Sequence, residues 1–250
     1  MERLVAHIPA GARVLEFGAG TGQQARFLAG RGFDVVAVDL PESAYARKLV
    51  FPVQQYDGTH IPLDDQSVDV IFSSNVLEHV ENVPAIMNEF RRILRPSGFG
   101  LHAMPTPAWR FWTFVSGVAN SAVAAACIPR DLIKPPAERS RWRALKQNLR
   151  TIAASLLPIG HGTSVEGISE LYTFSRRAWL NTFARHGFEV IEDRPMGLFY
   201  TGHMLFADRI SFPTRGDLSR SLGSATRVYV VRPLGAGERP RQEAKRSTNT

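Results

Sequence analysis

The sequence predicts an α/β fold: a doubly wound, mostly parallel seven-stranded sheet with a helical insertion after strand five. Three observations lead there. Residues 14–22, VLEFGAGTG, carry an apolar run into a turn with glycines at 18, 20 and 22, and Gln23 to Gly30 then reads as a helix. Apolar runs alternate with helical segments as far as residue 104, the pattern of a parallel sheet covered by helices. The alternation stops over 105–170 and resumes near 175–232.

The elements follow in order. Glu2 to Ile8 suits a short leading helix; strand one spans about 12–17, helix one about 21–31 and strand two 34–39. Pro41 can open a helix over 41–49, because its fixed φ suits the first helical position. Strand three lies near 53–56 and strand four at 68–73. Pro84 to Leu94 is amphipathic, with Ile86, Phe90, Ile93 and Leu94 on one face and arginines near its end. Pro96-Ser97-Gly98 is expected to stop it, and Gly98 to Met104 forms strand five. Arg176 to His186 is a helix closed by Gly187, residues 188–192 are strand six and 226–231 strand seven. Residues 235–250 have almost no apolar content and read as a disordered tail.

The strand–glycine turn–helix is a nucleotide cradle, since glycines let backbone N–H groups approach a ligand. The dinucleotide fingerprint is Gly-x-Gly-x-x-Gly, but here the third glycine comes one residue early, at Gly22, and position 23 is Gln. Glu16 fits poorly beside a pyrophosphate and well beside the ammonium of a methionine moiety. Asp39 ends the second strand, where a carboxylate can accept both ribose hydroxyls. Asp57-Gly58 follows strand three, within reach of an adenine amino group. Strand four runs into Ser73-Ser74-Asn75-Val76-Leu77-Glu78-His79-Val80.

This succession resembles the class I S-adenosylmethionine-dependent methyltransferases, in particular the ubiquinone-biosynthesis-like branch (methyltransferase type 11). That family shows an acid-x-Gly-x-Gly-x-Gly loop, an acid ending strand two, an Asp in the next loop and a Leu-Glu-His-Val segment after strand four, and all four occur here in order. The resemblance implies a Rossmann-like fold and S-adenosyl-L-methionine as cofactor. It implies a cofactor site of Glu16, Gly18, Ala19, Gly20, Gly22, Asp39, Leu40, Asp57, Gly58, Ser74, Asn75 and His79. Residues 1–104 are then the cofactor-binding half of the domain and 171–234 its C-terminal half, with 105–170 as a helical insertion.

At 250 residues and 44 % hydrophobic the chain can build one core and an appended subdomain. With Cys127 as its single cysteine it forms no internal disulfide, and no Cys/His cluster has zinc spacing, so no metal is expected. The N-terminus lacks a long apolar stretch of the secretory kind, so a cytoplasmic location is expected, peripheral on the inner face of the membrane if the insertion binds lipid. Net charge is +7, and residues 105–160 hold eight cations against two acids, so nearly all the excess sits in the insertion. Phe111 to Pro129 carries no charge, yet its serines, Asn120 and many alanines make it less apolar than a membrane span. Beyond it Trp142, Leu145, Leu149, Ile152 and Leu156 recur every three or four residues among Arg139, Arg141, Arg143, Lys146 and Arg150. That is the composition of a helix at an anionic membrane surface, and equally of a lid whose apolar faces pack on the core.

Methyl transfer from a sulfonium is an in-line displacement, and a hydroxyl acceptor must also lose a proton. His161, between Gly160 and Gly162, is a candidate base, with His203 as a second and Glu166 and Tyr172 able to orient a histidine or bind hydroxyls. A solvent-exposed loop is the plain alternative for His161. His79 suits a structural role better than a base, and His102 reads as buried inside strand five. The leading expectation is O-methylation of a small-molecule, glycan or lipid-linked acceptor. The alternatives are methylation of a quinone-type lipid ring and a non-catalytic adenosylmethionine-binding module. Nucleic acid is disfavoured as a partner, because strand four leads into Ser73-Ser74-Asn75-Val76 rather than the Asn/Asp-Pro-Pro-Tyr/Phe of amino-directed base methylation.

Overall fold

The computed structural model describes residues 1–41, 48–134, 140–156, 169–201 and 210–235. Its elements in chain order are α1 (Glu2–Val5), β1 (Arg13–Phe17), α2 (Gln23–Ala29), β2 (Asp34–Asp39), β3 (Gln54–Gln55), β4 (Val68–Ser74), α3 (Val83–Ile93), β5 (Leu94–Pro105), α4 (Pro107–Ile133), α5 (Arg141–Leu156), α6 (Ser169–Thr173), α7 (Arg176–Arg185), β6 (Phe188–Pro195), α8 (Phe212–Leu222) and β7 (Thr226–Pro233). The seven strands form one sheet in the order β3-β2-β1-β4-β5-β7-β6. The pairings of β1 with β2 and β4, of β2 with β3 and of β4 with β5 are parallel. The order reverses at β1, where the chain steps from β3 across to β4. In an open α/β sheet ligands bind at such a switch point, outside the carboxyl ends of the strands.

Two compact units are present. One comprises Met1–Met104, Arg177–Arg194 and the chain from Val228; the other comprises Pro105–Arg176 and Pro195–Arg227. The first carries a core of Leu15, Phe17, Ile71, Ile86, Phe90, Phe183 and their neighbours. The Phe17 ring meets Phe90 edge-on at 5.0 Å and Tyr56 at 5.5 Å. α3 supplies one wall because Ile86, Met87, Phe90 and Ile93 recur at helical spacing and are all buried. Asn82 caps it by accepting the Ala85 N–H at 3.2 Å, with Pro84 in the first turn.

α3 ends at Ile93, three residues before Pro96. Leu94 already pairs with Val68, and a register irregularity between Val68 and Val70 absorbs Pro96 and Ser97 within β5. The expected stop at 96–98 is therefore a bulge in a strand that begins earlier. The helix expected over 41–49 falls on residues 42–47, outside the described residues, and Lys48 and Leu49 are not helical. α6 and α8 have no counterpart in the sequence reading.

In the second unit α4 packs on α5, and Asn148 donates to Asp131 at 3.1 Å between them. Thr106 caps α4 by accepting the Trp109 N–H. The Trp112 indole N–H donates to the Leu222 carbonyl at 2.9 Å, tying α4 to the end of α8.

Candidate cofactor site

Parallel register brings the expected residues to one edge. Phe17 is level with Val38, Glu16 with Phe72, and Asp39 with Gln55. The glycine loop, the end of β2, the 57–60 turn and the end of β4 therefore emerge together at the carboxyl ends of four strands.

The glycine loop is held from within. Gly18 and Ala19 both donate to the Val38 carbonyl (2.9 and 3.0 Å), Gly20 to Asp39 Oδ2 (2.8 Å), and Gly22 to the Ala19 carbonyl (2.8 Å). The expected cradle of N–H groups pointing at a ligand is thus corrected: four loop donors already have protein acceptors. Those four N–H groups are committed to the protein's own oxygens and are not offered to a phosphate. The glycines serve close approach instead. A Cβ on Gly18, where φ is +74°, would stand 2.4 Å from a methyl of Val76, and one on Gly22 would stand 2.7 Å from Phe51 Cβ. Val50 N–H donates to the Thr21 carbonyl at 2.9 Å and keeps the 50–51 segment against the loop.

Glu16 is buried at 2 % exposure in β1. Burial pushes its carboxyl up to about 8, against the pull of the Ala25 N–H at the start of α2 and with help from the neighbouring Asp39 charge. Its Oε2 has no hydrogen-bond partner. An ionised carboxylate left so would carry a desolvation cost of several kcal/mol, so the site either holds a proton or awaits a cation. The ammonium of an adenosylmethionine is such a cation. The residues present fit this group: Oε2 for the ammonium, and Asp39 for the ribose.

Asp39 accepts from Gly20 N–H through Oδ2 and from Leu40 N–H through Oδ1, both at 2.8 Å. Each oxygen keeps a further lone pair for a ribose hydroxyl. Asp39 therefore fixes the glycine loop as well as facing the site, a task the sequence did not disclose. Leu40 beside it is half-exposed. Asp57 is exposed, and its Oδ1 accepts the N–H groups of His60 and Thr59 and the Thr59 hydroxyl, holding its carboxyl down to about 2. These bonds shape the turn at Gly58 (φ +86°) and leave Oδ2 uncommitted by them. Tyr56, just before it, is buried, and burial with the Asp39 and Asp57 charges pushes its hydroxyl up to about 12.

At the end of β4, Ser74 pairs with Ala103, and Asn75 adopts φ +53° while donating to the Ala103 carbonyl at 2.8 Å. That reversal sets Val76 against Gly18. Leu77–His79 form a 3-10 turn, and His79 is partly exposed with Nε2 4.0 Å from Glu78 Oε1. His102 is fully buried, stacked between Phe90 and Phe183 and bonded to Ser73 Oγ at 2.8 Å. Burial pushes it down to about 3, so it is a neutral core histidine, as its place inside the strand implied.

Glu78 was not expected. Its side chain is 1 % exposed, neither oxygen has a hydrogen-bond partner, and burial pushes it up to about 8. The sequence signals were its place in the Leu-Glu-His-Val segment and its position between apolar Leu77 and Val80, and neither told that its side chain is buried. Of the catalytic candidates, His161, Glu166 and His203 lie outside the described residues, and Tyr172 is exposed on α6. Among the described residues no group of three or more His, Cys, Asp or Glu could hold a metal.

A methyltransferase-domain family profile matches residues 1–193, a stretch that runs through the inserted unit. A malonyl-[acyl-carrier protein] O-methyltransferase of Pectobacterium atrosepticum is 36 % identical over 103 residues, covering 39 % of this chain and 41 % of that protein. An uncharacterized methyltransferase of Mycobacterium bovis is 44 % identical over 96 residues, covering 36 % of this chain and 39 % of that protein. The chain thus spans about two fifths of the length of these relatives. The crystal structure of an S-adenosylmethionine-dependent methyltransferase from Mesorhizobium loti covers 92 % of this chain and 96 % of its own, with a TM-score of 0.52 at 18 % identity. At that identity the likeness is one of fold.

Proposed function

Because this chain belongs to the methyltransferase-domain family, whose cofactor is S-adenosylmethionine, we propose that it transfers a methyl group to an oxygen of a small-molecule, glycan or lipid-linked acceptor. The observation that carries the reading is Glu16: a buried carboxylate with one unpartnered oxygen, set beside a glycine loop in which the Gly18, Ala19, Gly20 and Gly22 N–H groups already have protein acceptors. That arrangement suits a cationic methionine end, and a buried carboxyl at this place suits a pyrophosphate poorly. The sulfonium supplies the methyl group. The chain's own tasks are to pair the ammonium through Glu16, hold the ribose through Asp39 and exclude water around the transfer.

Oxygen as the receiving atom is supported by the O-methyltransferase that is 36 % identical over 103 residues. A lipid-linked acceptor is supported by the second unit, whose helices expose large apolar and cationic side chains together. Work at the inner face of a membrane goes with that acceptor. His161, His203 and Glu166 remain the proposed sources of a base. The test is a transfer assay with methyl-labelled adenosylmethionine against acyl, glycan and polyprenyl-linked hydroxyl acceptors, with the product bond identified by NMR. Binding of adenosylhomocysteine without transfer to any of them would favour the non-catalytic module; label on a ring carbon would favour the quinone-type reading.

A further inference from the structure

α4 is built inside out. Its buried residues are small or polar: Ser116, Gly117, Ser121, Ala124 and Asp131. Trp109 and Trp112 pack on Phe174 and Phe199, but six other large apolar residues face outward: Phe111, Phe114, Val115, Val118, Val123 and Ile133 are 37–80 % exposed. Phe111, Phe114, Val115 and Val118 recur at three- and four-residue spacing, and Val123 and Ile133 continue the exposed face along a 27-residue helix about 40 Å long. A water-facing helix has the opposite arrangement. Small residues at a helix–helix seam and large apolar ones outside are the pattern of helices surrounded by lipid.

The ends of the stripe are basic, with Arg110 at one and Arg130 and Lys134 at the other. The helix packed beside it, α5, adds exposed Arg141, Arg143, Lys146 and Arg150 with no acid between 141 and 156. Its Trp142 (78 %) and Leu149 (52 %) are exposed too, so these two members of the α5 stripe are not buried in a lid.

α4 is long and apolar enough to cross a bilayer, which corrects the expectation that its uncharged segment is less apolar than a membrane span. Topology argues that it does not. β5 precedes it and β6 and β7 follow it in the same sheet, so the chain would have to cross back. α5 carries four cations in 16 residues, and residues 157–168 number far fewer than the roughly 20 a span needs.

We propose that the α4–α5 pair is a monotopic docking surface for an anionic lipid bilayer, with the Phe111–Ile133 stripe lying in the interface and the cations of both helices over the headgroups. It deepens the lipid-linked reading of the acceptor and rests on that reading for its purpose, while its geometry is that of the second unit alone.

The test uses the full chain with vesicles of phosphatidylglycerol and phosphatidylcholine, or of phosphatidylcholine alone, in a sedimentation assay, with adenosylhomocysteine binding measured on the same preparations. The expected result is binding that needs phosphatidylglycerol and weakens with salt. Arg141→Gln, Arg143→Gln and Lys146→Gln together should weaken it about a hundredfold. Val118→Asp with Val123→Asp should abolish it, and because both positions are exposed the fold and ligand binding should persist. Protein that stays in the supernatant at low salt overturns the proposal, as does unaltered binding by the Val118/Val123 variant. A dimer in light scattering that the same variant splits also overturns it, in favour of a second copy on this face. Adenosylhomocysteine binding without vesicle binding sinks the docking surface alone; vesicle binding without adenosylhomocysteine binding sinks the methyl-transfer reading alone.

Discussion

Glu16→Gln should uncouple cofactor binding from a proton. In the free protein the Glu16 carboxyl is raised to about 8, so at pH 7 roughly nine sites in ten hold a proton. A cationic ammonium at Oε2 favours the ionised form, so binding should release about 0.9 proton per site at pH 7. The ionisation costs about 1.4 kcal/mol there, and affinity should rise close to tenfold per pH unit between about 5.5 and 7. The measurement is calorimetry with adenosylhomocysteine in buffers of different ionisation enthalpy, kept at or below pH 7 so that the ligand's own amino group stays charged. Glu16→Gln keeps the shape but cannot ionise: proton release should vanish, the pH slope should flatten, and affinity should fall by about 1.5–3 kcal/mol, the range for a charged hydrogen bond. Wild-type protein that releases no proton, or a variant that releases as many, would show that the ligand's cation does not meet Glu16.

Gly18→Ala should destabilise the protein, because its Cβ would meet Val76 and φ is +74°; adding Val76→Ala should recover part of the loss of melting temperature. Asp39→Ala should lower adenosylhomocysteine affinity by about 1.5–3 kcal/mol and also the melting temperature, since Gly20 and Leu40 lose their acceptor; a fall in stability alone would remove it from the site. Glu78, raised to about 8 when folded, favours the fold below its ordinary carboxylate value and loses that contribution as pH rises through 8, so Glu78→Gln should flatten the fall in thermal stability between about pH 4.5 and 8. His161→Ala should cut turnover about a hundredfold with cofactor affinity unchanged, and equal turnover would direct attention to His203 or Glu166.

β2 was legible to the residue, because an apolar run bounded by Gly32 and a terminal Asp39 leaves little choice of limits. α3 was legible because its apolar face and Pro84 agree, while the Asn82 cap one residue before the helix came only from the structure. The boundary at 93–98 was not, since Pro and Gly mark a break in pattern without saying whether it is a turn or a bulge. Periodicity found the stripe on α5 and could not say that Trp142 and Leu149 face outward. It gave no sign that α4 hides its serines, because an all-uncharged segment has no marked polar face. At the site, residue types located Glu16 and Asp39. The hydrogen bonds from Gly20 and Leu40 to Asp39, and the burial of Glu78, depend on tertiary placement that local spacing does not encode.

The strand order carries a consequence for synthesis on the ribosome. β1 to β5 lie within the first 105 residues and occupy adjacent places, so they can pair as they emerge. β5's other neighbour is β7, which begins at Thr226, about 120 residues later. At roughly 5–20 residues per second the outer edge of β5 waits about 6–24 s for its partner. The backbone N–H and C=O groups on that edge of β5 lack their ladder partner for that interval, while the apolar run of α4 is being made. An open strand edge beside a newly emerged apolar helix is the combination that favours intermolecular pairing. Aggregation of nascent chains should therefore grow with translation pauses placed between codons 106 and 226, and not with pauses placed before codon 90.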